Sequence, residues 1–271
     1  MTEVRQIVHE LLAHLGSSRE ARQYLKEFSD TNKARFAVIK IGGGILRDHL
    51  EELTSALAFL HRLGLIPVVL HGAGPQLDGA LAEAGIGTEK RDGLRVTTDA
   101  VMSVARPLMY RENLRLVEAL EGRGIRARGI QHGVFQCDFL DRENYGLVGE
   151  VEEVELSSVE SAVRSGAVPV LTCLGESHSG QVLNINADIA TRELVWKLRP
   201  HKVIFLSPTG GLLDRQDRII SAVSLTNDYD ALMQQPWVHS GMRLKLQQIN
   251  EMLQRLPDDT SVSITSAAHL T

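Results

Sequence analysis

The sequence predicts an α/β fold: a three-layer αβα sandwich with a central, mainly parallel sheet, preceded by an N-terminal helical segment. Short, almost continuously apolar runs alternate with longer amphipathic segments, and glycines stand where several helices would end. Strands that are apolar on both faces are typical of parallel sheets covered by helices on each side. The predicted strands are residues 36–41, 66–70, 168–173, 202–206 and 261–265.

The helices are predicted from apolar residues that recur three and four positions apart. Gly64, Gly85 and Gly166 stand just beyond three of them, where a left-handed residue commonly ends a helix. The predicted helices are residues 48–63, 75–84, 99–122, 158–165, 187–198 and 241–255.

Three segments depart from this alternation. Residues 86–97 and 126–156 are rich in Gly, Arg and Glu and alternate in polarity as antiparallel hairpins do, so we expect them to lie above the strand ends. Residues 1–30 show an apolar helical stripe and a second helix opened by a capping box of Ser17 and Glu20. This first segment packs either on its own domain or against a partner subunit, and the sequence leaves both open.

The composition excludes several classes of protein. Of the 271 residues, 43% are hydrophobic and 23% are charged, as in ordinary globular proteins. The net charge is −5 without a long basic run, which argues against a nucleic-acid partner, and no apolar run reaches the length of a membrane span. The two cysteines, Cys137 and Cys173, stand outside any metal-binding or C-x-x-C pattern, so we expect a reducing, cytoplasmic location.

The first candidate site segment is Lys40-Ile-Gly-Gly-Gly44, at the end of the first predicted strand. Glycines let backbone N–H groups approach a phosphate closely, although any tight turn between a strand and a helix also favours glycine. The lysine precedes the glycines, so the order is not that of a P-loop. Lys40 interrupts an apolar strand, and a buried ammonium needs an anionic partner, so we expect it to face a polar site.

A second glycine-rich turn, His71-Gly-Ala-Gly-Pro-Gln76, ends the second predicted strand. A dinucleotide-binding turn is the alternative, but the third glycine of that fingerprint is missing, and Asp92 is an ambiguous match for its ribose-binding acid. We interpret the turn as a cradle of backbone amides for an anion. His71 alone is more typical of a packing residue than of a catalyst.

Three further segments carry polar residues with two interpretations each. Arg95 is either a solvated hairpin charge or a fork of donors that binds a carboxylate. An extended Asn184-Ile-Asn-Ala-Asp188 would place three polar side chains on one face, which is more than a helix cap requires. Lys245 is either a surface charge or a second ammonium near the same cleft.

Together these segments resemble the amino acid kinase family, and within it the acetylglutamate kinases. The matching blocks follow the family order: residues 38–44, 71–76, 93–97, 184–188 and 240–245. The resemblance implies the amino acid kinase fold, with a helical segment at 1–30 and a kinase domain at 31–271, divided into a substrate-binding lobe at 31–180 and a nucleotide-binding lobe at 181–271. It also implies phosphorylation of the γ-carboxylate of N-acetyl-L-glutamate by ATP, in arginine biosynthesis, with Mg²⁺ arriving with ATP.

The resemblance also implies roles for individual residues. Lys40 and Lys245 would hold the ATP phosphates and stabilise the transferring phosphoryl group, and Asp188 would orient both lysines. The residues implied for the substrate are Ala73 and Gly74 at its γ-carboxylate, and Arg95 and Asn184 at its α-carboxylate and acetamido end. The residues implied for the nucleotide are Gly43, Gly44, Pro208, Thr209, Gly210, Gly211, Leu212 and Leu213. No metal-binding set of side chains is implied.

Two departures from the family pattern refine the resemblance. Ala73 replaces the middle glycine of the second turn, and Pro208 stands where aspartate is common. With the preceding helical segment, Ala73 makes the chain most similar to the kinase domain of bifunctional acetylglutamate synthase/kinases, in which an acyltransferase domain follows. We therefore expect a piece of a longer protein. The same branch implies a homo-oligomer and L-arginine as a feedback inhibitor.

Two other functions stay open. One is a catalytically silent, arginine-sensing regulatory domain of an acetylglutamate synthase, in which the catalytic lysines tend to be lost. The other is a related kinase that acts on aspartate, glutamate, carbamate or UMP. The presence of Lys40 and Lys245 favours activity, and the blocks at 93–97 and 184–188 favour acetylglutamate as the substrate.

Overall fold

The computed structural model describes residues 36–213, 219–220, 229–230, 232–236, 238, 240–257 and 260–270, so the helices predicted within residues 1–30 lie outside the described residues. The strands are β1 (Ala37–Ile41), β2 (Val68–His71), β3 (Lys90–Arg91), β4 (Leu94–Arg95), β5 (Ala127–Ile130), β6 (Phe135–Phe139), β7 (Gly149–Val154), β8 (Val168–Leu171), β9 (Leu174–Glu176), β10 (Val182–Asn184), β11 (Lys202–Leu206), β12 (Leu212–Leu213), β13 (Ile219–Ile220) and β14 (Ser261–Thr265). The helices are α1 (Gly43–Asp48), α2 (Leu50–Arg62), α3 (Gly74–Glu83), α4 (Asp99–Glu121), α5 (Arg142–Tyr145), α6 (Ser157–Arg164), α7 (Ala187–Leu198) and α8 (Ser240–Leu253), followed by a 3-10 turn at Ala267–His269.

A six-stranded sheet forms the centre of the fold, in the order β14-β11-β1-β2-β8-β5, and all of its pairings are parallel. The chain moves from β1 to β2 on one side and later returns to β11 on the other side. β1 therefore lies where the direction of winding changes. In open parallel sheets, ligands bind beyond the carboxyl ends of the strands at such a point.

The side chains of β1 alternate between two apolar clusters, one on each face of this sheet. Val38 packs in a cluster with residues of α3, α4, α7 and α8, while Ile39 packs in a cluster with residues of α1 and α2. Because successive side chains of a strand point to opposite faces, Lys40 lies on the same face as Val38. The predicted three-layer αβα sandwich is confirmed.

A second sheet of four strands, in the order β10-β9-β6-β7, holds the predicted antiparallel hairpin of β6 and β7. The predicted hairpin within residues 86–97 is also confirmed, as β3 and β4. Isolated bridges pair Thr97 with Gly146 and Val148 with Asn184, so the segments before α4 and α7 are tied to the same region of the chain.

One prediction about an individual element is wrong. Residues 126–156 are not hairpins throughout, because Ala127–Ile130 is one of the two edge strands of the central sheet and pairs with β8. Its middle residues are exposed, so it lacks the apolar run by which the other strands were predicted. The helix predicted at 48–63 is confirmed as α2, which begins at Leu50 because His49, with φ −132°, separates it from α1.

The other predicted strands and helices of the described chain occur at or near their predicted bounds. Gly64, Gly85 and Gly166 follow α2, α3 and α6 with φ values of 81°, 66° and 79°, as the helix ends require. β9 and β10 were not predicted, since each has only three residues. Among the described helices, none has both the length and the apolar character needed to cross a bilayer.

Candidate active site

A cavity of about 290 Å³ opens at the carboxyl ends of β1 and β2. Its walls come from the two glycine-rich turns, from the β3–β4 hairpin and from residues 184–188, with α4 contributing Ala105 and Met109. The cavity thus lies at the position where the winding of the sheet predicts a ligand site. The segments that line the cavity are far apart in the sequence.

Lys40 and Asp188 form an ion pair in this cavity. Lys40 Nζ lies 2.8 Å from Asp188 Oδ1, and the two side chains are only 9% and 12% exposed. Burial by itself raises the pKa of the Asp188 carboxyl, but the charges of Lys40 and Lys245 outweigh burial and hold the pKa below its ordinary value. Asp188 is therefore an anion that neutralises a buried ammonium, which is the partner that the position of Lys40 in an apolar strand requires.

Lys245 belongs to the same electrostatic cluster. It lies on α8, which packs against α7, the helix that begins beside Asp188. Burial lowers the pKa of Lys245, and the charge of Lys40 lowers it further, while Asp188 acts in the opposite direction. Lys245 is partly buried and is not part of the cavity lining, so its link to the other two residues is through the interaction of their charges.

The two glycine-rich turns are in backbone contact. The Gly72 N–H donates to the Ile41 carbonyl over 3.0 Å. A Cβ added to Gly43 would lie 2.9 Å from Gly74 N and 2.8 Å from Pro75 Cδ, so Gly43 has no room for a side chain. A Cβ added to Gly74 would meet nothing within 4 Å. The close approach of the turns, rather than an unusual backbone angle, explains the glycine at position 43.

Arg95 and Asn184 both line the cavity, and each has a polar partner within the chain. Arg95 Nη2 donates to Asp78 Oδ1 over 2.5 Å, and Nη1 donates to Thr88 Oγ1. Asn184 Nδ2 donates to Thr97 Oγ1 over 3.0 Å. The side chain of Arg95 is only 8% exposed, which excludes the interpretation of a solvated hairpin charge.

The polar residues at 184–188 have different roles. Asn186 is the N-cap of α7, since its Oδ1 accepts from the N–H groups of Asp188 and Ile189 over 2.8 and 3.3 Å. The helix-cap interpretation therefore applies to Asn186, while the Asp188 side chain pairs with Lys40. Asn184 precedes the cap on β10 and lies in the cavity wall.

The residues predicted for the nucleotide are not all gathered in this cavity. Gly43 lines it, whereas Gly44 and residues 208–213 are not part of its lining within the described chain. That segment begins beside the first turn, because a Cβ added to Gly44 would lie 3.1 Å from Pro208 Cγ. The last two residues of the segment form β12, which pairs with β13.

His71 is a packing residue, as its sequence context predicts. It is fully buried, its Nε2 lies 3.2 Å from Asn113 Nδ2, and burial lowers its pKa to about 4. Cys173 Sγ donates to the His71 carbonyl over 3.0 Å, and burial raises the pKa of this thiol to about 12. A neutral imidazole and a protonated thiol therefore lie beneath the second turn.

Sequence reasoning missed Asp78, which holds Arg95 and also lies 3.6 Å from Lys90 Nζ. One signal could have located it: Asp78 lies one helical turn after Gly74, on the α3 face that begins at the second glycine turn. An acid on an amphipathic helix is ordinarily assigned to solvent, which is why spacing alone did not single it out.

The amino acid kinase family matches residues 35–266, a range that includes the cavity, both glycine turns and the lysine cluster. This chain belongs to the amino acid kinase family. A protein named acetylglutamate kinase from Xanthomonas campestris pv. campestris is 52% identical over 256 residues, which cover 94% of this chain and 60% of that protein. The chain thus spans about three fifths of the length of this relative.

A second relative and a solved structure are also similar to this amino acid kinase. A protein named acetylglutamate kinase from Bacillus amyloliquefaciens is 31% identical, over 83% of this chain and 86% of that protein. The solved structure of N-acetylglutamate synthase from Neisseria gonorrhoeae, in complex with coenzyme A and N-acetyl-glutamate, matches with a TM-score of 0.77 and 20% identity, over 93% of this chain and 57% of that one. This last likeness shows a shared fold.

Replacing Gly43 tests the contact between the turns of this amino acid kinase. Gly43→Ala is expected to lower the free energy of unfolding by about 1–3 kcal/mol, because the new methyl group would overlap the backbone of the second turn. Gly74→Ala adds the same group in open space, so its free energy of unfolding is expected to change by less than about 1 kcal/mol. Urea unfolding followed by circular dichroism measures both, and equal losses in the two variants would contradict the contact.

The buried imidazole predicts a pH dependence of stability. The pKa of His71 is lowered from 6.5 to about 4, so between these values the unfolded chain binds a proton that the folded chain does not. The free energy of unfolding should therefore fall by roughly 3 kcal/mol as the pH is lowered through this window. Urea titrations across the window should show a flatter dependence for His71→Gln and an unchanged one for the exposed control His178→Gln. Parallel curves for His71→Gln and the parent protein would refute this origin of the pH dependence.

Proposed function

We propose that this chain transfers the γ-phosphoryl group of ATP to the γ-carboxylate of N-acetyl-L-glutamate, giving N-acetylglutamyl 5-phosphate and ADP in arginine biosynthesis. The observation that carries the proposal is the buried ion pair of Lys40 and Asp188 in a cavity walled by two glycine turns, with the charge of Lys245 acting on both members of the pair. The names of the relatives at 52% and 31% identity support the choice of substrate.

The chemistry of this reaction matches the charges of the cluster. The acceptor carboxylate is already ionised at neutral pH, so it needs no general base. One of its oxygens forms a bond to the γ-phosphorus. The bond between that phosphorus and the β–γ bridging oxygen breaks, and the bridging oxygen leaves as part of ADP. The obstacle is repulsion between a carboxylate and a polyphosphate, which positioned positive charge relieves. Two ammonium groups and backbone amides supply that charge.

In the proposed reaction, Lys40 and Lys245 bind the phosphate oxygens, and Asp188 orients the lysines. The lowered pKa of Asp188 supports this role, because the carboxyl stays ionised beside both ammonium groups. The first turn would offer amides to the phosphates. The residues proposed for the nucleotide are Gly43, Gly44, Pro208, Thr209, Gly210, Gly211, Leu212 and Leu213.

The other wall of the cavity would hold the acceptor. We assign the amides of Ala73 and Gly74 to the γ-carboxylate, and Arg95 and Asn184 to the α-carboxylate and acetamido end. A guanidinium has five N–H donors, so an Arg95 that already donates to two partners keeps donors for a carboxylate. Asp78 would set the orientation of the Arg95 guanidinium.

The residues present fit Mg²⁺ that arrives bound to ATP. Within the described ranges, no group of three His, Cys, Asp or Glu side chains could hold a metal ion by itself. Phosphate oxygens and water are the usual ligands of Mg²⁺ in phosphoryl transfer, with few protein ligands. The ion would neutralise charge on the polyphosphate, while Lys40 and Lys245 act on the transferring group.

Further properties belong to the proposal on the strength of the family resemblance. These are a substrate-binding lobe at 31–180, a nucleotide-binding lobe at 181–271, an oligomeric or regulatory role for residues 1–30, a homo-oligomer, L-arginine as a feedback inhibitor and a cytoplasmic location. In the central sheet, the strands of the two proposed lobes lie on opposite sides of the boundary between β1 and β11. The two cysteines are free, which agrees with a reducing compartment.

A coupled assay of ADP release with a panel of acceptors tests the function. N-acetyl-L-glutamate is expected to be the preferred acceptor over glutamate, aspartate, carbamate and UMP, because Arg95 and Asn184 would recognise its α-carboxylate and acetamido groups. Isothermal titration with ATP and L-arginine distinguishes the alternative of a silent regulatory domain. Binding of arginine without ATP binding or turnover, in a folded sample, would refute the kinase assignment.

The two lysines should differ when each is removed. Lys245→Met is expected to lower kcat by about 100-fold with little change in the thermal midpoint, because Asp188 keeps Lys40 as its partner. Lys40→Met should lower kcat as strongly and also cost roughly 3 kcal/mol of stability, since it leaves a buried carboxylate without its ion pair. ADP release and thermal unfolding measure the two effects. A Lys245→Met variant with full kcat would remove that lysine from the proposed mechanism.

A further inference from the structure

A line of polar contacts behind the cavity connects the two glycine turns. Gln76 lies in the first turn of α3, where its Nε2 donates to the Gly43 carbonyl over 3.0 Å and lies 3.4 Å from Glu112 Oε2. Arg115 Nη1 donates to the same Glu112 oxygen over 3.0 Å, and its Nη2 donates to the Leu46 carbonyl over 2.6 Å. Two carbonyls of α1 are thus bound by side chains of α3 and α4.

These contacts act on a helix that needs external support. α1 has six residues, and a helix of that length is not stable by itself in water. The Leu46 carbonyl lies among the last four of the helix, which have no partner within it, so the Arg115 guanidinium satisfies a carbonyl that would otherwise lack one. The position of the first turn is therefore set from outside α1.

The orientation of the Gln76 amide is determined by its surroundings. If the amide were reversed, its oxygen would face both the Gly43 carbonyl and the Glu112 carboxylate, and all three groups are acceptors. In the observed orientation Gln76 Oε1 is buried without a hydrogen-bond partner in the described part of the chain. An unpaired buried oxygen lowers stability, so the observed orientation is favoured only because Nε2 makes two hydrogen bonds that the reversed amide could not make.

Glu112 supports Gln76 from the other side. It is only 5% exposed although it carries a carboxylate, and residues of this type are seldom buried without a partner. Its hydrogen-bond partners in the described chain, Gln76 and Arg115, each also donate to a carbonyl of α1. Glu112 therefore joins both contacts into one support, whose members lie 33, 36 and 69 residues apart along the chain.

We propose that Gln76, supported by Glu112 and Arg115, is a positioning residue that fixes the distance between the two glycine turns during phosphoryl transfer. This inference rests on the proposed function, in which the first turn holds the phosphates and the second holds the acceptor carboxylate. Each turn keeps its own amides without Gln76, so each ligand still binds. The alignment of the reacting atoms is lost, and a displacement of about 1 Å can cost 100-fold in rate.

The test compares Gln76→Leu with the matched control Gln254→Leu, which makes the same change at an exposed position outside the contact line. We expect kcat of Gln76→Leu to fall by about tenfold or more. The KM values for ATP and N-acetyl-L-glutamate should stay within about threefold, because a positioning residue acts on the aligned state rather than on binding. The control should keep both parameters.

Hydrogen–deuterium exchange provides a readout that does not depend on turnover. The backbone amides of residues 42–46 should exchange faster in Gln76→Leu than in the parent protein and the control, since α1 loses one of its external contacts. Unchanged exchange in this segment would overturn the inference. So would an unchanged kcat per folded molecule, or a loss confined to KM.

A second pair of variants keeps the test decisive if Gln76→Leu does not fold. Arg115→Met removes the contact with Leu46 from a partly exposed side chain, and the exposed neighbour Arg111→Met is its control. A fall in kcat alone for Arg115→Met supports the inference, and an unchanged kcat overturns it. If the parent protein has no turnover with any acceptor, the proposed function fails, and the exchange of residues 42–46 alone decides whether Gln76 holds the first turn.

Discussion

The ion pair between Lys40 and Asp188 is the constraint on which the arrangement of this site depends. Lys40, in a central strand of a covered parallel sheet, is only 7% exposed, so its ammonium group needs an anionic partner within the protein. The anion comes from the first turn of α7, which requires that α7 begin beside the carboxyl end of β1. Asn186 fixes that start by capping the helix. One buried charge thus determines where a helix on the same face of the sheet must begin.

The same constraint explains which parts of the site could be predicted from the sequence. Lys40 was identifiable because its neighbours in the strand are apolar, and Asp188 because polar residues recur at every second position before a helix. The central strands followed from their apolar runs, whereas the strand Ala127–Ile130 did not, since its exposed middle residues, Arg128 and Gly129, interrupt any such run. Each of these features can be recognised from the residues within a few positions of it in the sequence.

The contacts between the two turns could not be predicted in this way. Gln76, Gly43 and Glu112 meet only because the parallel order of the strands brings α1, α3 and α4 together. Neither amphipathic spacing nor a motif relates positions that are 33 or 36 residues apart. Asp78 was missed for a similar reason, because an acid on an amphipathic helix is normally solvated unless tertiary structure brings an arginine to it. Topology, rather than composition, supplies these partners.

The electrostatic state of the cluster argues for a site that is organised before its ligand arrives. The Asp188 carboxylate pairs with Lys40, and the lowered pKa of Lys245 reflects both burial and repulsion from Lys40. An anionic phosphate placed between the lysines would relieve that repulsion and favour the charged form of Lys245. The two positive charges are therefore held near each other before any ligand binds, and an anionic ligand is the kind that they favour. Charge that is positioned in advance would need no reorganisation in the proposed transfer, in which two anions must approach each other.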